Sequence, residues 1–334
     1  MEIKNVKISE YTINYKNSKF ETIINNNKHL IPELNKKSLS FELINSNEAF
    51  ANGIRRIFND ELLVKSLDVN IYDLKTDDKY ILPDNIIERL NLIPILQNIN
   101  DNIVFSINII NNTNDIINIY SKDIINKNKN DKNIYFNSNI LLCSLKPNKY
   151  FYINNINIKK EYGYNDHKFA IGSYNYEVIN TDFNISSLNN NIKDFRIELI
   201  TNNNIELKNL IILIYDTIYF RLKNIQSSIN NYDINTNSTD INKLINDIFI
   251  IPNQNIFEIH INNEYHTIGN LITKYVFNLD NNIELINYKL EHPLRHKIII
   301  NIKHNQYKKI INDAIENIIK DLDIFKNLLI KYIK

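Results

Sequence analysis

Phe50-Ala51-Asn52-Gly53-Ile54-Arg55-Arg56 and, 218 positions later, Ile268-Gly269-Asn270-Leu271-Ile272-Thr273-Lys274 are two versions of one pattern. In each, an apolar residue precedes a small residue and an asparagine, and an apolar helical stretch follows. Asn47-Glu48 stands upstream of the first and Asn263-Glu264 upstream of the second, each after a β-type run. The chain reads as two related half-molecules joined together.

Outward from the first copy, Ser40-Phe41-Glu42-Leu43-Ile44 alternates polar and apolar residues as a half-buried strand does. Ser46-Asn47-Glu48 then supplies polar groups for capping a helix whose inner side is Phe50, Ile54, Ile57 and Phe58, ending near Asn59-Asp60. A β-type run at 6–13 precedes this unit, and 68–72 reads as a strand after it. Residues 195–200 return to strand character. Leu207, Ile211, Ile214, Ile218, Leu222 and Ile225 then mark an amphipathic helix over 206–227. The second copy repeats the scheme: strand 257–261, helix 267–277, strands 283–288 and 297–302. A final helix over 306–332 carries Ile311, Ile315, Ile318, Leu322, Phe325, Leu329 and Tyr332 at alternating spacings of four and three.

The expected fold is therefore α+β, with two dimerisation modules, each a small antiparallel sheet and two amphipathic helices, paired pseudo-symmetrically. The larger module takes 1–72 and 183–228, and the smaller 253–334. Residues 73–182, mostly β-like runs between Asn/Asp/Lys clusters, form an inserted β-rich domain, and 229–252 form the linker. Ile54, Ile57, Ile211, Ile218, Leu271, Ile272, Ile315, Leu322 and Leu329 are the expected internal dimerisation residues.

Composition narrows the function. Lys and Arg number 39 against 38 Asp and Glu, a formal net charge of +1, which argues against a chain whose task is coating nucleic acid or an anionic membrane. Among 334 residues Cys143 is the only cysteine, so no intrachain disulfide and no multi-cysteine metal site can form. Heavy use of Ile, Asn, Lys and Tyr reads as an AT-rich genome, since it runs through core and surface alike. The opening MEIKNVKISEY lacks the apolar core of a signal peptide and no apolar run reaches membrane-spanning length, so a soluble intracellular protein is expected. No Gly-rich phosphate loop, G-x-S-x-G or D-x-D-G-D metal triad occurs. No catalytic residue, cofactor, metal or small-molecule substrate is expected. His292 and His296 have a spacing a helical metal site uses, but Pro293 and the β-type run beyond it argue for a turn. Gly53 and Gly269, two of only four glycines, mark close approaches. Asn52 and Asn270 are expected to bond backbone at a strand–helix junction.

The motifs resemble those of a known family. Phe41-Glu42-Leu43, Ala51 to Phe58 and Glu61 look like the opening of the larger α-like subunits of DNA-directed RNA polymerases. Leu82-Pro83-Asp84-Asn85-Ile86-Ile87-Glu88-Arg89-Leu90-Asn91-Leu92-Ile93-Pro94-Ile95 resembles their stretch of a leucine, an acidic pair and then R-L-G-L-I-P-L, with Asn91 in place of the glycine. Glu264-Tyr265-His266-Thr267-Ile268-Gly269-Asn270-Leu271 and Tyr288-Lys289-Leu290-Glu291-His292-Pro293-Leu294-Arg295-His296-Lys297 are similar to two signatures of the small partner subunit. Around Gly163, Lys168 and Phe169 the match to the family's G-x-G-x-x-H-A-K-[FW] is looser. A fusion of both subunit types resembles the arrangement in large cytoplasmic DNA viruses.

This resemblance implies a non-catalytic assembly platform with the second-largest, largest and smaller polymerase subunits as partners, meeting DNA only through the complex and no membrane. It implies a viral factory in the host cytoplasm and the virion, or the nucleus for a cellular chain. Arg55, Arg56, Asn52 and Arg89, with the 83–94 segment, become the expected assembly interface, since a guanidinium fork suits carboxylates and carbonyls across an interface. The alternative is a freestanding nucleic-acid-binding protein reusing the fold.

Overall fold

The computed structural model describes residues 1–12, 35–95, 99–127, 140–162, 176–178, 192–202, 205–231, 248–253, 256–279, 283–292 and 295–333. Strand β1 (Glu2–Thr12) pairs antiparallel with β2 (Asn35–Asn47), and helix α1 (Glu48–Arg56) follows at once. The switch is local. Asn47 keeps extended backbone while its Oδ1 accepts from the Ala49 amide at 2.8 Å, filling one donor that a helix start leaves open. Asn45 takes a φ of 53°, the left-handed region asparagine tolerates. α1 continues as a π turn, Ile57–Glu61, which turns Ile57, Phe58 and Glu61 inward.

Next come β3 (Leu63–Asp68), β4 (Leu74–Thr76), α2 (Pro83–Asn91), β5 (Phe105–Ile110), β6 (Ile117–Tyr120), β7 (Ile125–Asn126), β8 (Leu141–Leu145) and β9 (Tyr150–Tyr162). β9 is the spine here, pairing antiparallel with β3, β4 and β5, while β6 pairs with β8. Phe105, Ile107, Leu142, Phe151 and Ile153 bury together with Leu67, Ile86 and Leu90 in a hydrophobic cluster of their own. Two expectations need correction. Residues 68–72 are not a strand: β3 ends at Asp68, and Ile71–Asp73 is a 3-10 turn opened by Asn70, whose side chain accepts from the Tyr72 amide. The β-like stretch also holds a helix, α2, with Pro83 in its first turn, where a missing N–H costs nothing.

β10 (Tyr176–Val178) and β11 (Ile192–Asn202) join the first sheet in the order β1-β2-β11-β10, and α3 (Leu207–Asn231) follows. Then β12 (Ile248–Asn253), β13 (Ile256–Asn262), α4 (His266–Leu279), β14 (Leu285–His292), β15 (Arg295–Lys303) and α5 (Tyr307–Tyr332) build a second sheet, ordered β12-β13-β15-β14. The segment expected to link residues 229–252 is thus element at both ends. α3 runs to Asn231, and the apolar run Ile248-Phe249-Ile250-Ile251 pairs with β13, burying Ile248 and Ile250 and leaving Ile251 exposed.

The two sheets carry the same succession of elements and strand order. The buried residues of α1 (Ala49, Phe50, Ala51, Gly53, Ile54) recur 218 positions on in α4 as Thr267, Ile268, Gly269, Leu271 and Ile272. Asn263 has a φ of 59°, so its counterpart is Asn45 and not Asn47. Leu207, Leu210, Ile211, Ile214, Ile218, Leu222, Ile225 and Ile229 of α3 likewise recur 100 positions on among the buried residues of α5.

Both sheets and α1, α3, α4 and α5 share one buried cluster, drawn from Ile3 to Ile333. α3 and α5 pack antiparallel: Asn312 donates to Asn230 at 2.7 Å, Lys223 to Glu316 at 2.8 Å, and Tyr215 to Asp323 at 2.8 Å. Phe325 of α5 meets Phe41 and Phe50 edge-on, with centroids 5.8 and 6.3 Å apart. Each fully buried Leu, Ile or Phe in this seam contributes about 1.5–3 kcal/mol. Among the described residues no helix is long and apolar enough to cross a membrane.

Candidate assembly interface

α1 and α4, the helices built from the repeated passage, pack against each other. Gly53 is a point of close approach: a Cβ there would lie 3.3 Å from Leu271 Cδ1. Gly269 serves a second approach, since a Cβ on it would fall 2.6 Å from Tyr288 Cδ2 on β14. Any side chain at Gly269 pushes the Tyr288 ring away. Beside the crossing opens a groove of about 310 Å³, lined by Asn52, Gly53, Arg56, His266, Asn270 and Tyr288.

Beneath it runs a buried polar network. Arg221 of α3 donates from Nη1 to Glu61 Oε2 at 2.5 Å, and grips Glu264 from Nη2 at 2.5 Å and from Nε at 3.1 Å. The Thr267 hydroxyl donates to Glu61 Oε1, and Arg56 Nε donates to Thr267 Oγ1 at 3.0 Å. Five side chains from both halves of the sequence are thereby tied together. Burial opposes the guanidinium's charge, but Glu264 and Glu61 outweigh it and hold Arg221 above its ordinary range. Burial lifts Glu264 above the usual carboxylate range against the pull of Arg221, and the Glu61 charge adds to the lift. Two carboxylates sharing one guanidinium in a dry site explain that direction.

The expected residues fall in three places. Ile54, Ile57, Ile211, Ile218, Leu271, Ile272, Ile315, Leu322 and Leu329 are each at most 1% exposed and all lie in the shared cluster. Arg55, Arg56 and Asn52 stand together on α1, with Arg55 Nε donating to Asn52 Oδ1 at 2.8 Å. Asn52 is not at the strand–helix junction, as expected from sequence: it lies more than a turn inside α1, and Asn47 makes the cap. Arg89 is elsewhere, on α2, where Nη1 donates to the Leu142 carbonyl at 2.8 Å and ties α2 to β8. His292 ends β14 and His296 lies on β15, so their spacing is that of a hairpin and not of a helix face. Of the looser motif, Glu161 and Tyr162 end β9, and Gly163, Lys168 and Phe169 lie outside the described residues.

Arg221, Glu61 and Thr267 escaped the sequence reading as interface residues. A signal existed for the first. Arg221 sits three residues after Ile218 and four before Ile225, on the apolar stripe, where an arginine requires a buried counter-charge.

Residues 257–328, from β13 into α5, match the family model of the RNA polymerase Rpb3/Rpb11 dimerisation domain. Over 310 residues the chain is 24% identical to the DNA-directed RNA polymerase RPB3-11 homolog of African swine fever virus, isolate Warthog/Namibia, covering 84% of each. The Tick/South Africa isolate gives the same identity and coverage. The chain is thus similar, over most of its length, to fused RPB3-11 polymerase subunits. The passage around α4 lies within the stretch matched to the dimerisation domain, and α1 lies outside it.

Proposed function

We propose that this chain is the non-catalytic assembly platform of a multisubunit DNA-directed RNA polymerase, acting in DNA-templated transcription. Two α-like modules pair within the chain. The larger comprises β1, β2, α1, β10, β11 and α3, the smaller β12 through α5, and the stretch from β3 to β9 is a body inserted into the larger. The observation that carries this is the single buried cluster shared by both sheets and four helices, in a chain whose second sheet matches a polymerase dimerisation domain. The matching element succession and the buried positions recurring 218 residues apart support a pseudo-symmetric pair. Fusion replaces a bimolecular encounter with a tethered one, at effective concentrations on the order of mM.

The paired modules present α1, with Arg55 and Arg56, to the second-largest subunit, and the largest and smaller subunits complete the assembly. Leu82 and Leu92, which flank α2 and are 59% and 58% exposed, extend the docking rim along the 83–94 segment. DNA is met through the complex, and the viral relatives favour a cytoplasmic factory as the compartment. A freestanding nucleic-acid binder is not favoured, because a net charge of +1 offers little counterion release. Affinity purification of tagged chain from cells making the polymerase should recover both large subunits. Arg55→Glu should reduce that recovery without changing the melting temperature. If the wild-type chain recovers no large subunit, the assembly role is wrong.

A further inference from the structure

Gly53 and Leu271 occupy equivalent positions of α1 and α4, and they touch each other. Equivalent positions meet only near the local two-fold of a paired assembly, where a symmetric pair would set a residue against its own copy. Here the two residues differ by a whole side chain. Two first halves brought together would face glycine with glycine and leave a void the size of leucine. Two second halves would drive leucine into leucine, where even a Cβ at Gly53 already sits 3.3 Å from Leu271 Cδ1. Void and overlap both disfavour self-pairing.

The buried ion cluster makes the same distinction by charge. The α5 counterpart of Arg221, 100 positions on, is Asp321, which instead accepts from the Tyr275 hydroxyl at 2.6 Å. The counterpart of Glu264 is Ser46, buried at the end of β2. A pair of first halves would leave Arg221 only its own Glu61, with Ser46 standing where it now grips Glu264. A pair of second halves would put Asp321 opposite Glu264, two acids in a dry site. An uncompensated buried charge is among the strongest penalties an interface can carry.

We propose that Gly53–Leu271 and Arg221–Glu264 are specificity determinants that commit each half to its unlike partner and exclude self-pairing between copies of the chain. This rests on the internal pairing proposed above. The test uses full-length protein, read by thermal melting and by mass from light scattering. Wild type is expected to be monomeric, and Gly53→Leu to lower the melting temperature by about 5–10 °C. The reciprocal exchange G53L/L271G should regain at least half of that loss. E264S/L271G, which removes both obstacles to second-half self-pairing, should shift monomer to dimer as concentration rises. If E264S/L271G does not fold, Leu271→Gly alone, with one obstacle removed, should do the same at higher concentration. The proposal is overturned if the exchange melts no higher than Gly53→Leu, or if the variants that fold stay monomeric at every concentration. Recovery of large polymerase subunits by wild type is scored separately. A rescued exchange with no subunit recovered would leave the pairing code standing and remove the assembly role.

Discussion

The core shared by the two four-stranded sheets and the separate body around β9 are stabilised by different means. The core draws together residues far apart in sequence: Phe41 and Phe50 rest on Phe325, and Arg221 donates to both Glu61 and Glu264. Four amphipathic helices bury its seam. The described residues of the body come from one stretch of chain between β3 and β9, folded around β9, and its nine-residue helix α2 buries Ile86 and Leu90. Its ion pairs include a surface one, where Asp101 bridges Lys65 and Lys160 at 2.8 Å each, while the buried Asp78 accepts from the Tyr80 and Lys146 amides. A core closed by distant contacts requires both ends of the chain, whereas a body closed locally does not. The two should therefore fail separately.

The two largest effects are expected from one substitution in each region, first Arg221→Ala, which removes the cation that Glu61 and Glu264 share and should cost about 3–5 kcal/mol. Far-ultraviolet circular dichroism should show the long helices melting early. Cys143, inside the body, should stay as unreactive as in wild type. Its thiol is pushed up to about 12, by burial first, so the native protein holds roughly a thousandfold less thiolate near neutral pH than an ordinary cysteine would. Phe151→Ala should invert the pattern, costing the body about 3–5 kcal/mol. Cys143 alkylation should accelerate while the helical signal melts at its usual temperature. A variant of either region that weakens both equally would refute the separation.

Smaller effects divide by pH. Burial, followed by the hydrogen bond to Asp323, raises Tyr215 from 10.0 to about 12. Its contribution is complete below the unfolded value and lost as pH rises through the folded one. The α3–α5 seam should weaken in that alkaline window, and Tyr215→Phe should flatten the loss at a cost of about 1 kcal/mol at neutral pH. Hydrogen bonds from Lys160 and Lys65 lower Asp101 from 3.8 to about 2. Its contribution is present above the ordinary value and lost as pH falls through the folded one. Asp101→Asn should therefore flatten acid sensitivity of the body alone, the smallest change of the series. Urea midpoints across pH would measure both.

The same contrast explains what the sequence disclosed. α1, α3, α4 and α5 were legible because a helix burying one face repeats its apolar residues every three or four positions, over up to 26 residues in α5. The burial of the nine apolar residues assigned to pairing was readable for that reason. α2 was not: two buried residues in nine leave little periodicity, and strand-like runs surround it. The pairings of β9 were equally hidden, since alternation marks a strand but does not name its neighbours. At the interface, the glycines announced close approach through their scarcity. Arg221 was passed over because a stripe drawn through apolar residues skips the charge lying on it. The repeat was visible, but its upstream register was not, because Asn45 and Asn263 match by backbone conformation and not by their neighbours.

Native mass spectrometry of polymerase purified through a tag on this chain tests the central claim most directly. Internal pairing of two α-like modules predicts one copy of the chain per complex, together with both large subunits. Two copies per complex, or a tagged chain isolated without the large subunits, would contradict it.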